Sequence, residues 1–157
     1  MERVPMTEVG YEALKQELEE LQGPARREVA EELEIARSHG DLRENADYDA
    51  AKEKQGMLEA RIRMIADQLG RADVVDINRL TTDQVRFGLI IDVENINTEV
   101  LYTYQIVGEF EADLDKGKLS VTAPLIQAFL GQSVGDFVEF ETADGVVEYE
   151  IMDIRRP

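Results

Sequence analysis

The stretch HGDLRENADYDAAKEKQ, residues 39–55, places four carboxylates, Asp41, Glu44, Asp47 and Asp49, within nine residues. Carboxylate oxygens suit Mg²⁺, which usually takes one or two protein carboxylates and keeps water or phosphate oxygens for its other positions. Two carboxylates on an exposed tip would bind Mg²⁺ weakly by themselves, but could complete a site whose remaining ligands belong to a partner. The same spacing has a structural reading. Asp41-x-x-Glu44 has the form of a capping box, and both carboxylates favour the positive end of a helix dipole. The readings are compatible, because one residue can cap while the other faces outward. Asp47 and Asp49 are expected on the flank of the following helix. Arg43 with Asp47, and Arg37 with Asp41, have the four-residue spacing of helical ion pairs. His39 is the single histidine, and before Gly40 it reads as the end of a helix. Arg37 and Lys52, close to the tip on opposite helices, could hold a phosphate backbone beside the acidic end.

Two long helices must position this stretch. From Tyr11, apolar residues fall at Leu14, Leu18 and Leu21, then Ala25, Val29, Leu33 and Ala36. The two successive steps of four between Ala25 and Leu33 suggest a stutter in the heptad. Thr7 is placed to cap this helix, and Gly23-Pro24 predicts a kink or a break. On the return, Tyr48, Ala51, Gln55, Leu58, Ile62, Ile65, Leu69 and Ala72 alternate steps of three and four, a coiled-coil seam. A short turn at 39–41 folds the two into an antiparallel pair that covers both stripes. Tyr48 opens the seam, so packing is its expected role. A rod of two helices is too narrow to enclose a pocket, so the tip must act inside something else.

The texture changes after residue 76. Residues 77–84, INRLTTDQ, read as a linker. VRFGLIIDVEN, LYTYQIVG, KLSVT, DFVEFETAD and VVEYEIMDI then read as strands rich in Val, Ile, Phe and Tyr, with Ala143-Asp144-Gly145 as a hairpin turn. One helix interrupts them, with Pro124 in its first turn, Leu125, Ile126, Phe129 and Leu130 on its buried face, and Gly131 past its end. The fold class is α+β: a coiled-coil hairpin over 1–76, a linker over 77–84 and a small α+β domain over 85–157.

Composition narrows the function. There are no cysteines, which excludes disulfides, thiolate metal sites and cysteine nucleophiles. No apolar run approaches the length of a membrane span, and the charged N-terminus lacks a signal-peptide core, so a cytoplasmic location is expected. The net charge is −17. Residues 1–76 carry 11 Lys and Arg against 19 Asp and Glu, and residues 77–157 carry 6 against 15. Free duplex DNA is a poor partner for such a chain, because phosphate affinity rests on Lys and Arg. A basic protein surface suits it better.

The motif GDLRENADYDAAKEKQ resembles the tip of the bacterial Gre transcript-cleavage factors, and within them the GreA type. The likeness extends to PMTEVGYEALKQELEEL, to EARIRMIADQLGRADVVD and to YQIVGEFEADLDKGKLSVTAPLIQAFLGQSVGDFVEF, in the right order along the whole chain. The resemblance implies that the second domain is FKBP-like and docks on RNA polymerase near the mouth of its secondary channel, with the hairpin passing down that channel. It implies that Asp41 and Glu44 help hold the second Mg²⁺ of the polymerase active site. Polymerase then cleaves the 3′ end of backtracked nascent RNA and resumes elongation. The chain is then an accessory factor and not an enzyme, expected as a monomer, with Arg37 and Lys52 against RNA or the channel wall. Asp113, Ser120 and Pro124 fall on the expected docking side of the second domain, though Asp113 equally suits a turn.

Three positions depart from the family pattern. Arg27 stands where a proline is common, Ala123-Pro124-Leu125 replaces a stretch beginning with serine, and Asp49 makes the tip more acidic. The alternative within the same fold is an inhibitor that binds the channel without stimulating cleavage. A prolyl isomerase with a helical arm and a coiled-coil adaptor are the readings from other classes.

Overall fold

The computed structural model describes residues 2–41 and 45–157. The chain divides into two compact units, one built on Tyr11–Ala72 and the other on Arg3–Gly10 with Asp73–Pro157. The first unit is the expected helical hairpin. Helix α1 (Glu8–Glu20) leads through a π-helical turn (Leu21–Ala25) into α2 (Arg26–Arg37), and α3 (Ala46–Gly70) returns. Leu14, Val29, Leu33 and Ala36 of the outgoing arm are buried, as are Ala51, Ile62 and Ile65 of the return. Tyr48 and Leu58 pack against Val29, Leu33 and Ala51. The remaining seam positions of α3, Gln55 and Leu69, are half-buried, as the alternation of threes and fours requires.

Ion pairs flank the seam. Glu17 meets Arg61 at 2.8 Å, Arg26 meets Glu59 at 2.9 Å, and Glu32 meets Lys54 at 2.8 Å. Partners rise in number on one arm as they fall on the other, which fixes the arms as antiparallel. The hydrogen bond from Arg26 holds the Glu59 carboxyl below its ordinary range, and the hydrogen bond that Lys54 donates to Glu32 raises the Lys54 ammonium. Exposed pairs of this kind stabilise little individually. Burial of the seam does most of the work.

Gly23-Pro24 interrupts the α-helix as expected, and the interruption takes the form of a π turn: Pro24 sits inside it, and Arg26 N–H donates to Gly23 O across it. The wider turn absorbs a residue that lacks an N–H and would clash with the carbonyl four back in a regular helix. The return helix ends at Gly70 rather than running through Ala72. Ala72–Val75 forms a strand, β2, paired with β1 (Val4–Thr7) in a small two-stranded sheet.

The second unit contains a mixed five-stranded sheet in the order β5-β4-β3-β7-β6. Its strands are β3 (Ile90–Asn95), β4 (Val100–Val107), β5 (Lys118–Ser120), β6 (Phe137–Thr142) and β7 (Gly145–Arg155), with the short helix α4 (Pro124–Phe129). Only β4 and β5 run parallel. Thr142 pairs with Gly145, so Ala143-Asp144 forms a two-residue hairpin loop, and Gly145 takes the positive φ of 124° that a side chain resists. Ile126 and Phe129 of α4 close over Ile91, Val93, Ile106 and Ile151, all fully buried. Leu80 also packs on this core, after a 3₁₀ turn at Ile77–Arg79, and Arg156 donates two hydrogen bonds to its carbonyl.

Candidate functional site

The end of the hairpin is built by a stop, a turn and a cap. Ser38 N–H donates to Glu34 O and Ile35 O as α2 ends; His39 and Gly40 donate to Ala36 O and Arg37 O. Gly40 has a φ of 101°, the conformation that ends a helix most cheaply in glycine. Asp41 follows, exposed and outside any helix. The return helix starts at Ala46 with Asn45 as its cap. The capping box expected from Asp41-x-x-Glu44 is therefore not how α3 begins. Glu44 itself lies outside the described residues, and so does the Arg43 side of the expected Arg43–Asp47 pair.

Asn45 succeeds where an aspartate would fail. Its Oδ1 accepts from Tyr48 N–H at 3.0 Å, which caps α3, while its Nδ2 donates to Ala36 O at 2.5 Å, which ties α3 to the end of α2. Capping needs an acceptor and the tie needs a donor, and a carboxylate offers only the first. Asn45 and Thr7 are the buried polar residues among those described.

His39 closes the helix end as expected and its Nδ1 also reaches Asp47 Oδ2 at 3.6 Å. Asp47 and Asp49 stand exposed in the first turn of α3, where negative charge suits the dipole. Arg37 is the last residue of α2, and positive charge is favoured there for the converse reason. Lys52 sits in the second turn of α3, its Nζ 6.0 Å from the Tyr48 ring centre and 3.5 Å from Gln55 Oε1. His39, Asp41, Asn45 and Asp47 line an open depression of about 390 Å³. A second, of about 340 Å³, lies between Ile35, Ala50 and the Glu32–Lys54 pair. Both are open hollows on the surface.

Among the described residues, no three His, Cys, Asp or Glu side chains converge as a metal site. What the tip offers is carboxylate oxygen on an outward-facing turn. That donor set fits a share in a hard-cation site completed elsewhere.

In the second unit, Asp113 caps a 3₁₀ turn, accepting from Asp115 N–H at 3.2 Å, and forms a bridge with Lys118 at the start of β5. Ser120 ends β5, its Oγ accepting from Thr122 N–H at 3.1 Å and lying 2.7 Å from Thr122 Oγ1. Pro124 opens α4. The three thus follow one another around β5. The turn role foreseen for Asp113 is the one it plays.

Thr7 caps α1 as its type and place suggest, accepting from Gly10 N–H at 3.0 Å. Its other partner, the Glu111 carboxylate, receives the Thr7 hydroxyl and the Thr7 N–H, the latter at 3.1 Å. Nothing local in the sequence announces that pairing. The cap role of Asn45, by contrast, was open to inspection, since Asn is a strong cap residue standing just before the seam.

Comparison with known proteins agrees with this architecture. The family model described as "Transcription elongation factor, N-terminal" matches residues 4–74, and "Transcription elongation factor, GreA/GreB, C-term" matches residues 80–156. The transcription elongation factor GreA of Phenylobacterium zucineum is 47% identical over 154 residues, covering 98% of both chains. That of Caulobacter vibrioides is 46% identical with the same coverage. Among solved structures, the transcription factor Gfh1 is similar over 98% of this chain and 99% of its own, with 27% identity and a TM-score of 0.47. With matches that run through both units from end to end, the chain belongs to the GreA/GreB family of transcription elongation factors.

Proposed function

We propose that this chain stimulates cleavage of backtracked nascent RNA by RNA polymerase, with the hairpin inserted in the polymerase secondary channel and the second unit docked at its mouth. The carrying observation is the tip, where a buried Asn45 joins the two arms and leaves Asp41 exposed at the end of a long hairpin. The arm from Glu8 to Arg37 is helical throughout. At 1.5 Å per residue its ~30 residues reach about 45 Å, enough to bring charge into a deep and narrow site.

In this reading Asp41 and Glu44 contribute oxygen ligands to a Mg²⁺ that polymerase holds loosely. When bound, that ion activates water and stabilises in-line displacement at phosphorus. The chain's own residues supply placement and charge. Asn45 fixes the turn after which α3 begins, Asp41 and Glu44 supply the oxygens, and Arg37 and Lys52 are the residues for the RNA 3′ segment or the channel wall. Asp113, Ser120 and Pro124 lie on the docking side. The factor works as a cytoplasmic monomer and as an accessory to another enzyme's active site.

The test uses stalled, backtracked elongation complexes with labelled RNA 3′ ends, the wild-type chain and Asp41→Asn/Glu44→Gln. Short 3′ fragments with the wild type alone support the reading. Equal cleavage by both removes the carboxylates from the mechanism. Slowed elongation without cleavage favours the inhibitor, for which the exposed Asp49 adds charge at the tip.

A further inference from the structure

The five-stranded sheet has one covered face and one open face. Ile91, Val93, Ile106 and Ile151 pack in the core with Ile126 and Phe129 of α4. Their neighbours along each strand point the other way, as strand alternation requires. Register sets these outward residues in rows. Leu101 of β4 stands opposite Glu94 of β3, Glu94 opposite Glu150 of β7, and Glu150 opposite Phe137 of β6. Farther along, Glu148 stands opposite Glu139 and Val146 opposite Glu141.

Two features of this face cost stability. Directly opposed residues hold their Cβ atoms about 5 Å apart, and like charges so placed repel. Asp92 and Asp153 are also opposed, but Arg155 bridges them at 2.7 Å and 3.0 Å. Among the described residues, no Lys or Arg bridges Glu94 with Glu150 or Glu139 with Glu148. Glu94 and Glu150 are half-buried, which weakens the screening of their repulsion. The second cost is apolar. Leu101 is 62% exposed, Phe137 57% and Val146 52%. Large apolar side chains gathered on one open sheet face mark an interaction surface.

Charge decides what fits there. A second copy of the chain would set these carboxylates against their own kind, and a nucleic acid would set phosphates against them. Among the described residues, no three acidic side chains converge as a cation site. We infer that the open face of the sheet is a docking surface for a basic amphipathic protein segment, one that alternates Lys or Arg with apolar side chains. Its cations answer the opposed glutamates, and its apolar side chains cover Leu101, Phe137 and Val146. The face is separate from α4, whose first residue, Pro124, belongs to the docking side proposed above. The inference does not depend on the cleavage reading.

The experiment measures, by fluorescence anisotropy, the binding of a short labelled peptide of alternating lysine and leucine to the full chain. The variants are Glu94→Gln/Glu150→Gln and Leu101→Ser/Phe137→Ser. Glu19→Gln/Glu31→Gln, at exposed residues of the hairpin, is the control with the same change in net charge. Wild type and control should bind alike. The Glu94/Glu150 variant should bind about tenfold more weakly at low salt, and the Leu101/Phe137 variant about tenfold more weakly at low and high salt. No binding to wild type overturns the proposal. Equal affinities for the Glu94/Glu150 variant and the hairpin control also overturn it, because the peptide would then sense net charge alone.

The repulsion gives a second readout. Glu94→Gln should raise the thermal midpoint at low salt by about 1–3 °C, the reverse of what a structural role for the carboxylate predicts. A midpoint that stays or falls overturns the inference that these carboxylates are kept for a partner.

Discussion

Asn45 and Thr7 use the same device in different settings. Each is buried, each caps a helix, and each gives a second hydrogen bond to another segment. Asn45 reaches Ala36 O, nine residues back across a turn. Thr7 reaches Glu111, 104 residues away. The first tie shapes a tip where charge is presented. The second joins the cap of α1 to the 3₁₀ turn at Glu109–Glu111. Local caps can be read from residue type, whereas their distant partners follow only from the fold. The tip is free to be chemical because the surrounding stability is supplied elsewhere, by the seam of the hairpin and the ten-residue core of the second unit.

The strongest way to break this comparison is to crowd the distant tie. Gly108→Ala pushes a methyl toward the Pro5 carbonyl, a backbone atom that cannot swing aside. We expect a loss of about 1–3 kcal/mol in urea unfolding. Gly10→Ala should cost less, because the obstructing atoms belong to a side chain. Equal and negligible effects at both positions would mean that the close approach is unimportant.

Next in size is the local tie. Asn45→Ala loses both the cap and the donor to Ala36 O, and should destabilise the hairpin by about 1–2 kcal/mol. Asn45→Asp separates the two roles, since it retains an acceptor for Tyr48 N–H but has no hydrogen for the carbonyl. Thermal unfolding followed by helical circular dichroism should place Asn45→Asp no higher than wild type. A rise in midpoint would show that only the cap matters.

The smallest effect concerns neither tie and sharpens the contrast by lying on the open face of the sheet. Arg155 bonds Asp92 at 2.7 Å and Asp153 at 3.0 Å, bridging carboxylates that face each other across β3 and β7. The hydrogen bond from Arg155, helped by the Thr103 hydroxyl, lowers the Asp92 carboxyl below its ordinary range, against the opposing effect of burial. A lowered folded-state value means stability that is present above the unfolded carboxylate value of about 3.9 and is lost as pH falls below it. Arg155→Ala should therefore weaken the fold at neutral pH, by less than about 1 kcal/mol because solvent screens the partly exposed pair. It should also flatten the acid limb of the stability curve. An unchanged acid limb would remove Asp92 from the account.

Much of this molecule was legible in its residues. The hairpin seam shows in threes and fours from Tyr48 onward, and the strands show in alternations such as DFVEF. Pro124 and Gly131 bracket α4 by chemistry that acts locally. The misreadings arose where several residues compete for one role or where the signal is short. Asp41 and Asn45 are both competent caps, and the choice of Asn45 depends on a donor that must meet Ala36 across the turn. Pro24 announces an interruption but not its form, because a π turn leaves no sequence signature of its own. Strands β1 and β2 have four residues each, too few for a periodic pattern. Glu111 was invisible because its partner Thr7 lies 104 residues away.

The role proposed for the tip carboxylates is to raise the occupancy of a Mg²⁺ shared with polymerase. Its most direct test is the Mg²⁺ dependence of the cleavage rate at saturating factor, for wild type and for Asp41→Asn. We expect a higher half-saturating Mg²⁺ concentration for the variant, with the rate recovering as Mg²⁺ is raised. The same half-saturating concentration with a lower plateau would contradict it and assign Asp41 a role other than holding the ion.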